Sequence, residues 1–136
     1  MARVLLMLIL GLVLAAAAKA AVYTVDNNDD FTFGQNCTAA PNDCSLRAAI
    51  TLANNSPEND TINFDPAYIG AGQELALFTF VQLTIANNGT LTINGPGAKL
   101  YSINGVNLVR IFNVSAGATA TISGIKGAFR VVGGGD

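Results

Sequence analysis

A short segment that recurs in the second half of the chain restricts the fold more than any other sequence feature. Each copy joins a β-branched residue to a polar residue and a glycine: Thr92-Ile93-Asn94-Gly95, Ser102-Ile103-Asn104-Gly105 and Thr121-Ile122-Ser123-Gly124. Helical periodicity is absent from Leu75 onward, and β-branched residues dominate. The pattern predicts short strands at a spacing of nine or ten residues, beginning near Val81, Leu91, Tyr101, Ile111 and Ala120.

Two mainly β architectures are compatible with these strands. Asn-Gly pairs are typical of hairpin turns, so a meander of antiparallel hairpins is one alternative. The recurrence of near-identical strands instead favours a solenoid, in which equivalent residues of successive coils stack on one another. In a solenoid, Ile93, Ile103 and Ile122 are expected to face the interior. Asn94 and Asn104 would lie at corners, where their amides would stack.

The number of coils is expected to be small. Only two or three coils fit between Leu75 and Asp136, and solenoids commonly need about three repeats to bury a continuous core. The sequence ends on Val132-Gly133-Gly134-Gly135-Asp136, without a polar terminal cap. We therefore expect a gene fragment, a truncated reading frame or a module that stacks on a partner. An isolated chain of this kind is expected to self-associate through an open strand edge.

A helix, a turn and a strand are predicted between Cys44 and Phe64. The apolar residues of the helix share one face at i, i+3, i+4 and i+7: Leu46, Ala49, Ile50 and Ala53. Asp43 or Ser45 would cap its start, and Asn54-Asn55-Ser56-Pro57 would end it because proline disfavours helical geometry in the preceding residue. The last four residues of the stretch, Thr61-Ile62-Asn63-Phe64, alternate between polar and apolar side chains, as a strand does. Because a helix of this length is unstable alone in water, its apolar face must cover another apolar surface.

The same stretch carries a resemblance to a known family. Cys44-Ser45-Leu46-Arg47-Ala48-Ala49-Ile50, then Ala53-Asn54-Asn55 and the Asn-Asp-Thr-Ile-Asn-Phe of residues 59–64, resemble the CSLREA domain of secreted bacterial and archaeal proteins. The similarity extends from about Tyr23 to Gly97, and residues 91–97 are similar to the family's exit into the repeats that follow. The chain departs from the pattern at Ala48, where the family usually has Glu, so a pair between Arg47 and a glutamate at position 48 is not expected.

The resemblance implies three parts of the chain. These are a signal peptide over residues 1–20, an N-terminal α/β cap over residues 21–74, and a short right-handed parallel β-helix of the pectin-lyase-fold type over residues 75–136. Roles in the cap are expected for six residues: Leu46, Arg47, Ala49, Ile50, Asp60 and Phe64. The family name denotes a sequence domain and implies no catalytic role.

The N-terminus has the pattern of a secretory signal peptide. Arg3 supplies the positive charge, residues 4–14 are apolar apart from Gly11, and Ala18-Lys19-Ala20 is a small-x-small cleavage site. A membrane anchor is the alternative, but the apolar run is shorter than the roughly 20 residues that a span needs. Cleavage is expected after Ala20, with Ala18 as a second possibility. The protein would then lie outside the cell or on a bacterial outer surface.

Cleavage would leave a mature chain of five basic and nine acidic residues, a net charge of −4. This charge argues against a nucleic-acid partner, and the mature chain is expected to have no membrane span.

Both cysteines, Cys37 and Cys44, lie in the mature part. In an oxidising compartment such a pair favours a disulfide over a metal site, and the chain has no His to complete a zinc site. No cofactor is expected.

The acidic segment from Asp26 to Asp30 is predicted to be a turn between strands over residues 22–25 and 31–33. Its oxygens are the ligands that Ca²⁺ prefers, but the segment lacks the spacing and the glycine of an EF-hand loop. The favoured interpretation is a solvated turn without a metal.

Catalysis is not expected. Lyases and hydrolases that act on polysaccharides need clustered carboxylates, and there is no Asp or Glu between Leu75 and Gly135. Asp60 and Asp65, with Glu58 nearby, could act as a paired acid and base, although caps of turns are the favoured interpretation. Arg47 is expected to pair with one of these three. The scattered cations are expected on a solvated face: Lys99, Arg110, Lys126 and Arg130.

The expected function is therefore structural or adhesive, as part of a secreted or cell-surface β-helix protein. The alternative is a fragment of a polysaccharide-active lyase or hydrolase that lacks its catalytic coils. The expected partners are further β-helix repeats, a second copy of the chain, or a cell-surface glycan or protein. A glycan-binding module would show exposed aromatic side chains along one face, and the repeat region offers few, among them Tyr101, Phe112 and Phe129.

Overall fold

The computed structural model describes residues 19–32, 34–86 and 89–127 of the chain. This part is mainly β, with one helix. The elements in chain order are β1 (Val22–Val25), α1 (Leu46–Asn54), β2 (Asp60–Phe64), β3 (Gln73–Ala76), β4 (Leu83–Ile85), β5 (Thr90–Asn94), β6 (Tyr101–Asn104), β7 (Phe112–Val114), β8 (Thr119–Ser123) and β9 (Lys126–Gly127).

In the described part of the chain the strands form three sheets, and every pairing between these strands is parallel. The first sheet has the order β1-β2-β5-β8, the second β3-β6-β9 and the third β4-β7. From β2 onward the chain visits the first, second and third sheet in turn and then repeats that rotation. A meander of hairpins requires antiparallel neighbours, so the hairpin alternative is wrong for these strands.

The register of the sheets stacks apolar side chains in columns. Ile62 pairs with Ile93, and Ile93 with Ile122, in the first sheet. Leu75 pairs with Ile103 in the second. Ile93 and Ile103 are buried, whereas Ile122 on the outermost strand is only half-buried. The three similar segments of the sequence therefore do not form one ladder, because the segment at Ile103 belongs to a different sheet.

The helix begins and ends as its sequence predicts. Ser45 is the N-cap in extended geometry, and its Oγ accepts a hydrogen bond from the backbone N–H of Ala48 at 3.1 Å. The predicted apolar face is buried: Leu46, Ala49, Ile50 and Ala53. This face packs against β1, β2 and β4. Asn54 then bonds the backbone of residues 84 and 86 through both ends of its amide, at 2.8 Å each.

The disulfide between Cys37 and Cys44 is present, as predicted, with Cα atoms 4.2 Å apart. Cys44 is fully buried and precedes the helix N-cap. Asp43 does not cap the helix. Its carboxylate accepts hydrogen bonds from the backbone N–H and the Oγ1 of Thr38 instead. The small loop is thus closed twice, covalently and by the Asp43 carboxylate.

The predictions for the acidic segment were wrong in two respects. Phe31 and Thr32 are not in a strand, and Phe33 lies outside the described residues. The segment is not a solvated turn either, because Asp26 and Asp30 are buried. Asp26 accepts hydrogen bonds from the backbone N–H groups of Asn42 (2.7 Å) and Cys44 (2.9 Å), and these bonds replace water around the carboxylate.

Some predictions concern residues that are not described, and one predicted boundary lies within a strand. Residues 1–18 of the predicted signal peptide and residues 128–136, with Phe129 and Arg130, are not described. The boundary predicted between residues 74 and 75 lies within β3, and the cap and repeat parts share the first sheet. Within the described ranges, no helix has the length and apolar character needed to cross a bilayer.

Candidate functional site

Asp30 is the centre of a buried polar cluster near the corner that joins β3 to β4. The residue as a whole is 2% exposed. The Nε of Arg47 donates to Asp30 Oδ1 at 2.7 Å, and Nη2 of the same guanidinium lies 2.6 Å from that oxygen. Thr79 donates to Asp30 Oδ2 through its backbone N–H (2.9 Å) and its Oγ1 (2.7 Å). The buried carboxylate therefore has a counter-charge and hydrogen bonds on both oxygens.

Arg47 extends the cluster to the other side of the same corner. Its Nη2 donates to the carbonyl oxygen of Val81 at 2.6 Å, and its Nη1 donates to that of Gln82 at 3.2 Å. The prediction that Arg47 pairs with Glu58, Asp60 or Asp65 was wrong. Residue 47 projects from α1 toward the corner, whereas the predicted partners belong to the segment around β2.

Phe80 lies between these two anchors with a strained backbone. Its φ is +56°, a region that bulky residues rarely adopt, and its side chain is 58% exposed. Thr79 before it is bonded to Asp30, and Val81 after it is bonded to Arg47. The buried ion pair thus holds the backbone on both sides of an aromatic ring that stays in solvent.

A second corner, between β6 and β7, lies beside the first and presents another large apolar side chain. Val106 and Asn107 have φ values of +49° and +59°, and the Oδ1 of Asn104 accepts a hydrogen bond from the Val106 N–H at 2.8 Å. Leu108 follows them, 71% exposed. A Cβ at Gly105 would lie 2.1 Å from the carbonyl oxygen of Val109, so the corner needs glycine there.

The two corners enclose an open groove of about 390 Å³. Its lining comes from both corners: Phe80, Val81, Gln82, Leu108, Val109 and Arg110. A smaller groove of about 220 Å³ lies on the other side of Val81 and Gln82, against Arg47, Thr51 and Asn54 of α1.

We use the name corner surface for Phe78, Phe80, Val81, Leu108 and Arg110. The four apolar members are all more than half exposed.

Arg110 is the charged residue of the larger groove. Its Nη1 lies 3.5 Å from Oδ1 of Asn113, a long contact that leaves most of the guanidinium donors for other groups. The sequence has no acidic residue from 75 to 135, so this region carries positive charge without nearby neutralisation along the chain. The corner surface therefore combines exposed aromatic and aliphatic groups with one cation.

Sequence reasoning missed this surface. It grouped Arg110 with scattered solvated cations, and it sought exposed aromatic residues at Tyr101, Phe112 and Phe129. Tyr101 is buried instead, with its ring centroid 5.0 Å from that of Phe64 and its hydroxyl donating to Asn28 Oδ1 at 2.9 Å. The available signal was residues 77–81, Leu-Phe-Thr-Phe-Val, where apolar residues at adjacent positions cannot all face one core.

The other predicted carboxylates have separate structural roles. Asp60 begins β2 and Asp65 follows its last residue, and five residue steps along a strand span about 16 Å, too far for a paired acid and base. Asp65 Oδ1 caps a turn by accepting from the Ala67 N–H at 2.8 Å. Asp60 is 1% exposed and accepts from the Ala21 N–H at 2.7 Å. Burial, and then the Asp60 charge, raise the pKa of Tyr23.

Polar residues at the strand ends form ladders between neighbouring strands. Nδ2 of Asn94 donates to Oδ1 of Asn63 at 3.1 Å, the amide stack expected at this position. Nδ2 of Asn104 donates instead to Oε1 of Glu74 at 3.1 Å. In the described part of the chain there is no group of three or more His, Cys, Asp or Glu side chains suited to a metal ion.

Comparisons of this chain with protein families, with curated proteins and with solved structures found no match.

Proposed function

We propose that the chain is a secreted, right-handed parallel β-helix protein with a structural or adhesive role and no catalysis of its own. Three observations support the architecture: all strand pairs are parallel, the strands rotate through three sheets, and paired residues such as Asn63 and Asn94 are 31 positions apart. This period lies in the range of roughly 20–50 residues typical of solenoid repeats. Crossovers between parallel strands of one sheet are nearly always right-handed.

The proposed N-terminal cap consists of α1 and the segment before it. The apolar face of the helix covers the interior at the β1 and β4 end of the sheets, and Asn54 occupies backbone groups of residues 84 and 86. Covering an end and its strand edges is what a solenoid cap must do. We propose on this basis that the resemblance to the CSLREA domain reflects the same arrangement of a cap followed by repeats, with the repeats beginning at β2 rather than at residue 75.

Secretion is supported by the disulfide and by the predicted signal peptide. Disulfides persist in oxidising compartments and are rare in the cytosol. The predicted cleavage after Ala20 would release a chain that begins one residue before β1. The expected location is therefore extracellular or at the outer surface of the cell.

The observation that carries the adhesive role is Phe80, exposed at a positive φ and fixed by the Asp30–Arg47 pair. A turn at this position needs no aromatic ring, and strained residues of this kind are concentrated at ligand-binding sites. The corner surface has the composition of a protein interface, with aromatic residues and Arg enriched and acidic residues depleted. The partner is a protein segment that presents an apolar side chain beside a carboxylate, because Arg110 supplies the complementary charge.

The test is adhesion of beads coated with the exported chain to cells of its source. The double variant Phe80→Ser, Leu108→Ser is expected to lose most bead binding. The separate variant Arg110→Gln is expected to bind beads with a weaker dependence on salt concentration than the parent does. Val114→Ser removes a comparable exposed apolar side chain outside the corner surface and serves as the matched control. Binding that is unchanged in the double variant, or equally reduced in the control, would overturn the adhesive surface.

The same preparations should also be tested on pectin, alginate and related polymers with and without Ca²⁺. No turnover above a mock-purified control is expected. Turnover that copurifies with the chain would instead support the alternative, a polysaccharide-active enzyme.

A further inference from the structure

The backbone nitrogen of Ala21, the residue directly before β1, donates to a buried carboxylate. Its N–H donates to Oδ1 of Asp60 at 2.7 Å, and the Asp60 side chain is 1% exposed. The carbonyl oxygen of Ala21 accepts from the N–H of Thr61 at 2.9 Å. Two successive contacts to β2 thus fix the position of this nitrogen on the buried carboxylate.

This nitrogen belongs to the peptide bond that the signal-peptide pattern marks for cleavage. Lys19 and Ala20, before it, are both exposed. Hydrolysis of the Ala20–Ala21 bond by a signal peptidase would add the hydroxyl of one water to the carbonyl carbon of Ala20, which leaves as a carboxylate. The hydrogen of that water, with one more proton from solvent, would convert the Ala21 amide nitrogen to an ammonium at neutral pH.

We propose that Asp60 is the receptor for the α-ammonium group that maturation creates at Ala21, and that this ion pair locks β1 onto β2 in the processed chain. The inference rests on the proposed secretion and deepens it. Before cleavage, Asp60 receives a neutral amide donor at this position. After cleavage, a cation stands at the same place, and charge-assisted hydrogen bonds are roughly twice as strong as neutral ones.

The surroundings of Asp60 favour such a cation. A cation that donates a hydrogen bond stabilises a carboxylate withdrawn from water, and the Ala21 nitrogen lies 2.7 Å from Oδ1 of the buried Asp60. Tyr23, a titratable group on β1 whose pKa is raised first by burial and then by the Asp60 charge, is neutral at physiological pH. A processed N-terminus at Ala21 places a cation at this oxygen without any change in backbone position.

The proposal also distinguishes the two candidate cleavage sites. Cleavage after Ala20 places the ammonium on Asp60. Cleavage after Ala18 leaves Lys19 and Ala20 in place, so Asp60 keeps a neutral amide donor. Asp60 would thus select one N-terminus as the stable product, and the alternative form is expected to unfold more readily.

The first experiment compares three mature chains prepared from exported, full-length precursors. One begins at Ala21. The second is the same protein with its α-amine selectively acetylated at mildly acidic pH, which restores an amide at that nitrogen. The third comes from a precursor with one alanine inserted between Ala20 and Ala21, which moves the ammonium by about 3.8 Å. The unfolding equilibrium constant of each is measured in urea.

The chain that begins at Ala21 is expected to have an unfolding constant five- to tenfold smaller than either of the other two. Asp60→Asn is expected to abolish the difference between free and acetylated chains, whereas Asp65→Asn should preserve it. If Asp60→Asn does not fold, the alanine insertion decides alone, because it keeps the charge but displaces it. Equal stability of all three forms would overturn the proposal.

N-terminal sequencing of the exported protein separates this inference from the proposed secretion. Export with a first residue other than Ala21 would overturn the processing step while leaving secretion intact. Retention of the precursor in the cytoplasm would overturn secretion, and the proposed pairing of a natural ammonium with Asp60 would be overturned with it. Stability measurements on chains with defined termini would still report separately whether Asp60 can bind an ammonium there.

Discussion

Asp30 and Thr79 are 49 positions apart, and the backbone N–H and hydroxyl of Thr79 both donate to one oxygen of the Asp30 carboxylate. The other oxygen is occupied by Arg47. One buried side chain thus joins the N-terminal segment, the helix and the β3–β4 corner. A contact of this kind couples the stability of the cap to the geometry of the corner surface.

Replacement of Asp30 by Asn is expected to destabilise the fold by about 3 kcal/mol, because it leaves the Arg47 guanidinium partly buried without its counter-charge. The measurement is urea unfolding followed by circular dichroism. Asp29→Asn is the control, because Asp29 is the adjacent residue and is exposed. If the two variants unfold at the same urea concentration, the ion pair does not hold the cap to the corner.

Phe80→Asn is expected to separate stability from binding. Asn tolerates positive φ better than Phe, so the variant should be more stable by up to about 1 kcal/mol. The same change should reduce adhesion of coated beads, by less than the double variant at Phe80 and Leu108 does. Phe78→Asn is the matched comparison, because Phe78 is also exposed on this corner but does not have a positive φ. A Phe80→Asn chain that is less stable than the parent would show that the ring supports the fold.

Ile50→Asp is expected to cost several kcal/mol, because Ile50 lies at the centre of the buried helix face and the new carboxylate would have no partner there. Thr51→Asp places the same charge one residue later on the exposed side of the helix and should be nearly neutral. Thermal melting of both variants is the measurement. An Ile50→Asp protein that melts within a degree or two of the parent would rule out a covering role for the helix.

Reduction of the Cys37–Cys44 disulfide is expected to lower the free energy of unfolding by at most about 2–3 kcal/mol, since the bridge closes a short loop. Unfolding with and without dithiothreitol gives this difference. Mass spectrometry of exported, non-reduced protein should show no alkylation of either cysteine. Two thiols alkylated without prior reduction would contradict the bridge in the exported chain.

Gly89→Ala is expected to destabilise the fold by about 1–3 kcal/mol through overpacking. A Cβ at Gly89 would lie 2.2 Å from the backbone carbonyl oxygen of Glu58, which belongs to the neighbouring turn before β2. Gly70→Ala is the control, because its nearest neighbour would be a side-chain atom at 3.9 Å. Comparable melting temperatures for the two variants would mean that the two turns do not pack as closely as described.

The sequence was most informative where a pattern is local. The helix face and its end at Asn54 follow from periodicity and from the proline after it, and capping chemistry narrowed the N-cap to Asp43 or Ser45. Several strand starts follow from the spacing of β-branched residues. The partner of Arg47 could not be predicted, because a guanidinium on a helix can reach any nearby carboxylate and only the tertiary fold brings Asp30 close. The corner surface was missed for the same reason, since exposure of Phe80 depends on a backbone held by distant residues.

The parallel register also fixes a scale of length. Neighbouring strands in a sheet lie about 4.8 Å apart, so the four strands β1, β2, β5 and β8 of the first sheet measure about 14 Å across. In this register, a further strand in each sheet would add height and leave the width unchanged. Each further strand would therefore lengthen its sheet by one strand spacing, and the distance from α1 to the outermost strand would grow in equal steps.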